Sequence, residues 1–380
     1  MTFDTLSAPW ETLGFCATLL AAPAFAAPAR RGAASWLLPA LGVMLVTTLF
    51  AADARLAYGA AAVAALLHAA TAWPESRTGA AWLGMSGLLA AGTAVSLSSG
   101  QLTAAFLLST VAIAIRAGAL PCHAGVASLC DRAPVVQTQQ MASTIALVFI
   151  HLRFVDHHDE AVALAPLIVR FGACAALAAA LMSIVQRDLR GFFRSTTSVH
   201  GGMLLAAVGA ASLHNYAAAL LYSVSAALGL GGLGMMLTSL ESRVGPVAYD
   251  RASGRTHTFP RLATAFALFA AASVAVPGSV GFVADDLLLH ALWMQSPTST
   301  VVVILSGSLL AVSTLVCYTH VFLGRPVSSL APDLLLRERA VAAALVVLIL
   351  LLGFAPGGLL YPAEHFLSTP SVDATASAER

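Results

Sequence analysis

Eight ionisable side chains fall inside apolar stretches of this 380-residue chain: His68, Arg116, Arg170, His200, His214, Asp285, Asp286 and His290. A charge at membrane depth is costly, and it is retained where it lines an ion path or where a partner neutralises it. Histidine and carboxylate can pass protons there, because a protein interior tunes their ionisation over several pH units. Arginine belongs to another class. All nineteen Lys+Arg positions are arginine, and the chain holds no lysine. A guanidinium keeps its proton to about pH 12 and beyond, so it can hold water or balance a carboxylate but cannot relay as a buried lysine does.

Arg116 follows five apolar residues, Val111 to Ile115, and precedes Pro121 by five positions. It reads in two ways: paired with a carboxylate or snorkelling to the interface, or lining a polar channel beside a broken helix. Asp285 and Asp286 follow Pro277-Gly278-Ser279-Val280-Gly281-Phe282. Proline and two glycines so close together break a helix, and the freed backbone groups must face protein or a wet cavity. Neighbouring residues point about 100° apart on a helix. Asp285 is therefore favoured for the interior, and Asp286 for a partner or the interface; the other reading has both capping the next helical segment. His200, in Thr196-Thr197-Ser198-Val199-His200-Gly201-Gly202, reads as a hydrogen-bonded core residue or a proton-relay member. His68 and His290 read as structural.

The elements holding these groups must be membrane helices. Hydrophobic residues make up 59% of the chain, charged residues 10%, and mean hydropathy is +0.85; soluble domains carry roughly 25% charged residues. The fold class is all-α, a polytopic transmembrane bundle of about 11–13 spans with two discontinuous helices. Apolar runs of spanning length predict helices over 12–29, 35–52, 55–74, 80–98, 101–120, 135–155, 161–185, 193–212, 215–240, 261–278, 280–295, 299–322 and 339–360. Residues 12–28 read as a first span rather than a cleaved signal, because Arg30 and Arg31 follow it. Short loops make residues 1–365 one domain, with 241–260 an aqueous loop and 366–380 a polar, disordered tail. The basic loop at Arg187, Arg190 and Arg194 is placed in the cytoplasm by the positive-inside rule. A net charge of +1 leaves no nucleic-acid footprint. The five cysteines match no zinc or redox motif, and no cofactor or metal is expected.

Four stretches, in order, resemble the antiporter-like subunits of the respiratory complex I membrane arm, nearest the chain-M type. The first holds Arg116, Pro121, His123, Ala133 and Pro134; Arg116 falls on the family's mid-membrane lysine. In the second, Asp188, Leu189, Thr196, Thr197, His200 and Gly202 match in register, and Arg190 replaces a lysine. The third is Leu220 to Leu230, where the family's His-x-x-x-Lys pair becomes Ala226 and Leu230. The fourth begins at Pro277-Gly278-x-x-Gly281-Phe282 and places Asp285 on the family's glutamate; it continues through Val321–Gly324, Pro332-Asp333, Arg337-Glu338 and Gly353–Pro356. The resemblance covers about residues 100–360 and makes the chain N-terminally short.

The resemblance implies a subunit without a redox centre, in a complex-I-like NADH–quinone oxidoreductase of the bacterial inner membrane. It would take part in or support proton translocation driven by electron transfer elsewhere. Arg116, His123, Arg190, His200 and Asp285 are the implied path positions, and Pro121, Pro277, Gly278 and Gly281 the implied helix breaks. Other membrane subunits and the lipid bilayer are the implied partners. Two further readings are a non-conducting scaffold subunit and the membrane component of a two-component inorganic-carbon uptake system.

Overall fold

The computed structural model describes residues 37–51, 53–132, 134–155, 159–211, 216–249, 252–326 and 329–357. The expected first span, the tail and His214 lie outside the described residues. Within them the chain forms thirteen helices: α1 (Leu37–Phe50), α2 (Ala54–Ala72), α3 (Arg77–Ser98), α4 (Leu102–Ala117), α5 (Ala124–Arg132), α6 (Pro134–Phe154), α7 (Asp159–Ile184), α8 (Leu189–Ala211), α9 (Tyr216–Val244), α10 (Pro260–Ser273), α11 (Val280–Gln295), α12 (Pro297–Phe322) and α13 (Leu336–Phe354). Two residues each of β1 (Ser253–Gly254) and β2 (Arg325–Pro326) pair in parallel and clip the α9–α10 connection to the end of α12. By length and composition, α2, α3, α9, α12 and the Ala163–Ile184 stretch of α7 can each cross a membrane.

The bundle is built around α9. Its apolar stretch is wholly buried, whereas the corresponding stretches of α2, α3 and α12 are 39% buried. It packs against α6, α8, α10, α11 and α13. α8 lies beside it and is itself inside, because α7 crosses its other face at very short range. That approach depends on small residues. A Cβ on Gly202 would lie 2.7 Å from the Ala176 Cα and 2.9 Å from the Gly172 carbonyl oxygen, both backbone atoms. Gly172-x-x-x-Ala176 on α7 thus meets Gly202-x-x-x-Ala206 on α8, the spacing that lets membrane helices touch backbone to backbone.

The expected helix over 101–120 stops at Ala117. Gly118 turns left-handed at φ 74°, and the Ala119 amide donates back to the Ala114 carbonyl at 3.0 Å, closing a Schellman cap. Residues 118–123, with Pro121 and His123, separate α4 from α5. The expected helix over 261–278 likewise stops at Ser273. Ala275 (φ 57°) and Gly278 (φ 93°) turn the chain, and Ser279 caps α11. Gly281, in the first turn of α11, packs against the Ala272 carbonyl of α10.

Two expectations are corrected at one end of the bundle. Arg190 and Arg194 lie on the first turns of α8 rather than in a loop, because Asp188 caps that helix at the Gly191 amide, 2.7 Å away. Glu241 and Arg243 lie on α9 rather than in an aqueous loop. The helix runs one turn further than expected because Arg190 pairs with Glu241 at 2.8 Å and Arg243 pairs with Glu338 at 2.6 Å.

Candidate functional site

Each helix break has a group of interior polar side chains beside it. The first is Arg116, in the last turn of α4 and 3% exposed. Its Nη1 donates to Ser86 Oγ of α3 at 3.3 Å, and its Nη2 donates to Ser143 Oγ of α6. Gln140 Nε2 donates to the Arg116 carbonyl at 2.5 Å, satisfying an acceptor freed by the break. The side chain lines a cavity of about 10 Å³ with Thr48, Ser86, Ala90 and Ser143. The expected carboxylate partner or interfacial position is not what is found. Among the described residues no carboxylate lies within ion-pair distance of Arg116, and hydroxyls take that place.

The second place holds His200, Asp285 and Tyr222. His200 is on α8, and its Nδ1 lies 2.9 Å from the Tyr222 hydroxyl of α9. Tyr222 donates its hydrogen to Met203 Sδ at 3.0 Å. Which of His200 Nδ1 and Tyr222 Oη is the donor follows the imidazole tautomer. His200 and Asp285 both line a cavity of about 280 Å³, with Met203, Ser273, Gly307 and Ser308. Ile304 and Ser308 border it and are exposed on the outer face of α12. Asp285 lies in the second turn of α11, where Ser279 rather than an aspartate is the cap. Asp286 points outward and is exposed.

The two places touch. Gly201, next to His200, packs against the Ala117 carbonyl, and a Cβ there would lie 2.8 Å from the Ala119 nitrogen. The α4 break is thus seated on the helix that carries His200.

The other sequence candidates lie apart from these two places. His123 sits at the α4–α5 break with its ring Nδ1 3.1 Å from the Pro121 carbonyl, on a partly exposed surface. Arg190 is ten residues from His200, about 15 Å along α8, and is held by Glu241 and the Asp131 carbonyl. Arg170 and His290 are exposed on the outer faces of α7 and α11, and His68 is buried. The positions aligned with the family's His-x-x-x-Lys, Ala226 and Leu230, are 6% and 0% exposed in the apolar interior of α9.

A third buried polar chain was not foreseen. Tyr58 Oη of α2, Ser109 Oγ of α4 and His151 Nδ1 of α6 form two successive contacts of 2.9 Å. Ser109 and Arg116 share a face of α4, seven residues apart. The signal was present in the sequence, since His151 lies within an expected span.

The fold and its interior define a polytopic membrane protein with polar groups gathered beside two interrupted helices. The chain belongs to the family described as NADH:quinone oxidoreductase/Mrp antiporter, TM, whose model matches residues 9–311. The match therefore reaches much further toward the N-terminus than the resemblance over residues 100–360 implied. NADH-quinone oxidoreductase subunit M of Escherichia coli (strain K12) is 24% identical over 258 residues, covering 66% of this chain and 51% of that protein. The chain spans about half the length of the curated relatives it matches. Among solved structures, a chain of respiratory complex I from Thermus thermophilus with bound NADH superimposes with a TM-score of 0.81 at 20% identity, covering 94% of this chain and 83% of the other. A chain of the Mrp complex from Dietzia sp. DQ12-45-1b gives 0.76 at 19% identity, covering 98% and 84%. At these identities the superpositions show the shared fold.

Proposed function

We propose that the chain is a membrane-arm subunit of a complex-I-like NADH–quinone oxidoreductase in a bacterial inner membrane. It takes part in proton translocation coupled to electron transfer in other subunits. Its partners are other membrane subunits of that assembly. The observation that carries the reading is the joint placement of His200 and Asp285 on one cavity at the α10–α11 break, in a chain of this family. A histidine and a carboxylate are the two side chains there that gain and lose protons. Arg116 supplies a fixed charge and no relay.

One observation favours a supporting role instead. Ala226 and Leu230 make the buried stretch of α9 apolar, and an apolar constriction gates by dewetting. Proton uptake by proteoliposomes holding the intact complex separates the two roles. Asp285→Asn and His200→Ala, with assembly intact, should each strongly reduce uptake. Unchanged uptake in both variants would leave this chain a scaffold.

A further inference from the structure

Tyr58, Ser109 and His151 are each 0% exposed, and their chain of contacts ties together α2, α4 and α6. The same three helices wall the site around Arg116. Ala61, one turn along α2 from Tyr58, and Leu147, one turn along α6 from His151, both border the space beside that arginine. Ser109 is seven residues from Arg116, about 10 Å along α4. In the other direction the chain approaches one face of the bundle. Tyr58 is in the second turn of α2, and His151 is in the last turn of α6. Arg153 Nη1 donates to the Ala51 carbonyl at 2.9 Å, which fastens this end of α6 to the connection between α1 and α2.

The ring of His151 is only half used. Its Nδ1 lies 2.9 Å from Ser109 Oγ, while Nε2 is buried with no hydrogen-bond partner among the described residues. Its aromatic neighbour, Phe106, lies 5.3 Å away between ring centres and offers no polar atom. A buried polar atom without a partner costs about 1–3 kcal/mol, so one that is kept calls for a use. The rest of the chain suits proton transfer. A hydroxyl accepts and donates at once, and its hydrogen can turn either way. Ser109 stands between two such neighbours, at 2.9 Å from each. Histidine is the member that titrates near neutral pH.

We propose that His151, Ser109 and Tyr58 form a second proton relay, joining the face of the bundle at the end of α6 to the site around Arg116. The inference rests on the reading of this chain as part of a proton-translocating complex. A proton bound at Nε2 makes the ring an imidazolium. Its Nδ1–H then passes to Ser109 Oγ, the serine hydrogen passes to Tyr58 Oη, and the phenol releases its own hydrogen. All three groups are again neutral and one proton has moved. Rotation of the two O–H bonds and a change of imidazole tautomer reset the chain.

The test is proton uptake by proteoliposomes holding the intact complex, expressed per assembled complex, in His151→Asn, Tyr58→Phe and Asp285→Asn. Asparagine keeps a hydrogen-bonding atom near the place of Nδ1 but cannot take up a proton, and phenylalanine removes a single oxygen. Both variants should lose most of the uptake with apparent Tm unchanged. The double variant should lose no more than either single one, because both groups serve one path. Unchanged uptake per assembled complex in either His151→Asn or Tyr58→Phe overturns the relay, and so does a loss that only follows the amount of complex assembled. If Asp285→Asn loses uptake in that case, the proton-translocating reading stands without this relay; if it too is unchanged, both fall.

Discussion

Replacing Arg116 by methionine should leave the stability of the protein nearly unchanged, which is unusual for a buried charge. Removing one member of a buried ion pair costs about 3–5 kcal/mol, because the remaining charge is stranded. Among the described residues nothing charged is stranded here. Ser86 Oγ keeps its bond to the Leu83 carbonyl at 2.7 Å, and Ser143 Oγ keeps its bond to the Gln140 carbonyl at 2.8 Å. The bond from Gln140 to the Arg116 carbonyl survives because it uses backbone. Two hydrogen bonds from a charged group are lost, about 1.5–3 kcal/mol each. Against that, the several kcal/mol spent in desolvating the guanidinium are recovered, and an unbranched thioether fills the same channel. The net change should lie within about 2 kcal/mol of zero. The assay is apparent Tm of the purified assembly at one fixed scan rate, followed by tryptophan fluorescence. At about 2–4 °C per kcal/mol, the shift should stay within a few degrees. A fall of 10 °C or more would refute the reasoning, and would mean that a carboxylate faces Arg116 after all.

Gly202→Ala should destabilise the bundle by about 1–3 kcal/mol, the usual cost of overpacking, because the new methyl meets the Ala176 nitrogen and Cα and the Gly172 carbonyl of α7, all backbone, and no side chain can yield; yield of assembled protein and apparent Tm report it, and unchanged values would deny the close α7–α8 crossing. Arg243→Met should cost about 3–5 kcal/mol, because it strands Glu338 and frees the Pro332 and Asp333 carbonyls that Arg243 now holds; limited proteolysis of the segment before α13 should become faster, and equal rates would count against the clamp.

Much of this architecture can be read from residue spacing. Apolar runs of spanning length mark the helices, and Pro277-Gly278-x-x-Gly281 marks a break because those residues end a helix wherever they stand. The choice between Asp285 and Asp286 follows from helical geometry: one residue turns about 100°, and only Asp285 reaches the cavity. What could not be read is pairing across helices. Ser86 and Ser143 lie in segments that look like any other small-residue span, so a carboxylate was the natural partner to expect for Arg116. Tyr222 is the hydrogen-bond partner of His200, yet no local pattern links positions 22 apart. The start of α8 and the end of α9 are hidden from the sequence for the same reason. Charged residues signal water when read singly, and only the Arg190–Glu241 and Arg243–Glu338 pairs show why these helices continue.

The burial of α9 also bears on how the membrane acts on this protein. Its 29 residues extend about 43 Å, well past a hydrocarbon layer of roughly 30 Å. A helix of that length in contact with lipid would tilt or deform the bilayer to hide its excess. α9 is sheathed by other helices along its apolar stretch and ends in ion-paired Glu241 and Arg243, so lipid thickness has no direct hold on it. Thinning or thickening the bilayer acts instead on α2, α3 and α12, which are less than half buried. α12 also forms the exposed rim of the His200–Asp285 cavity, so the width of that opening is where acyl-chain length should register.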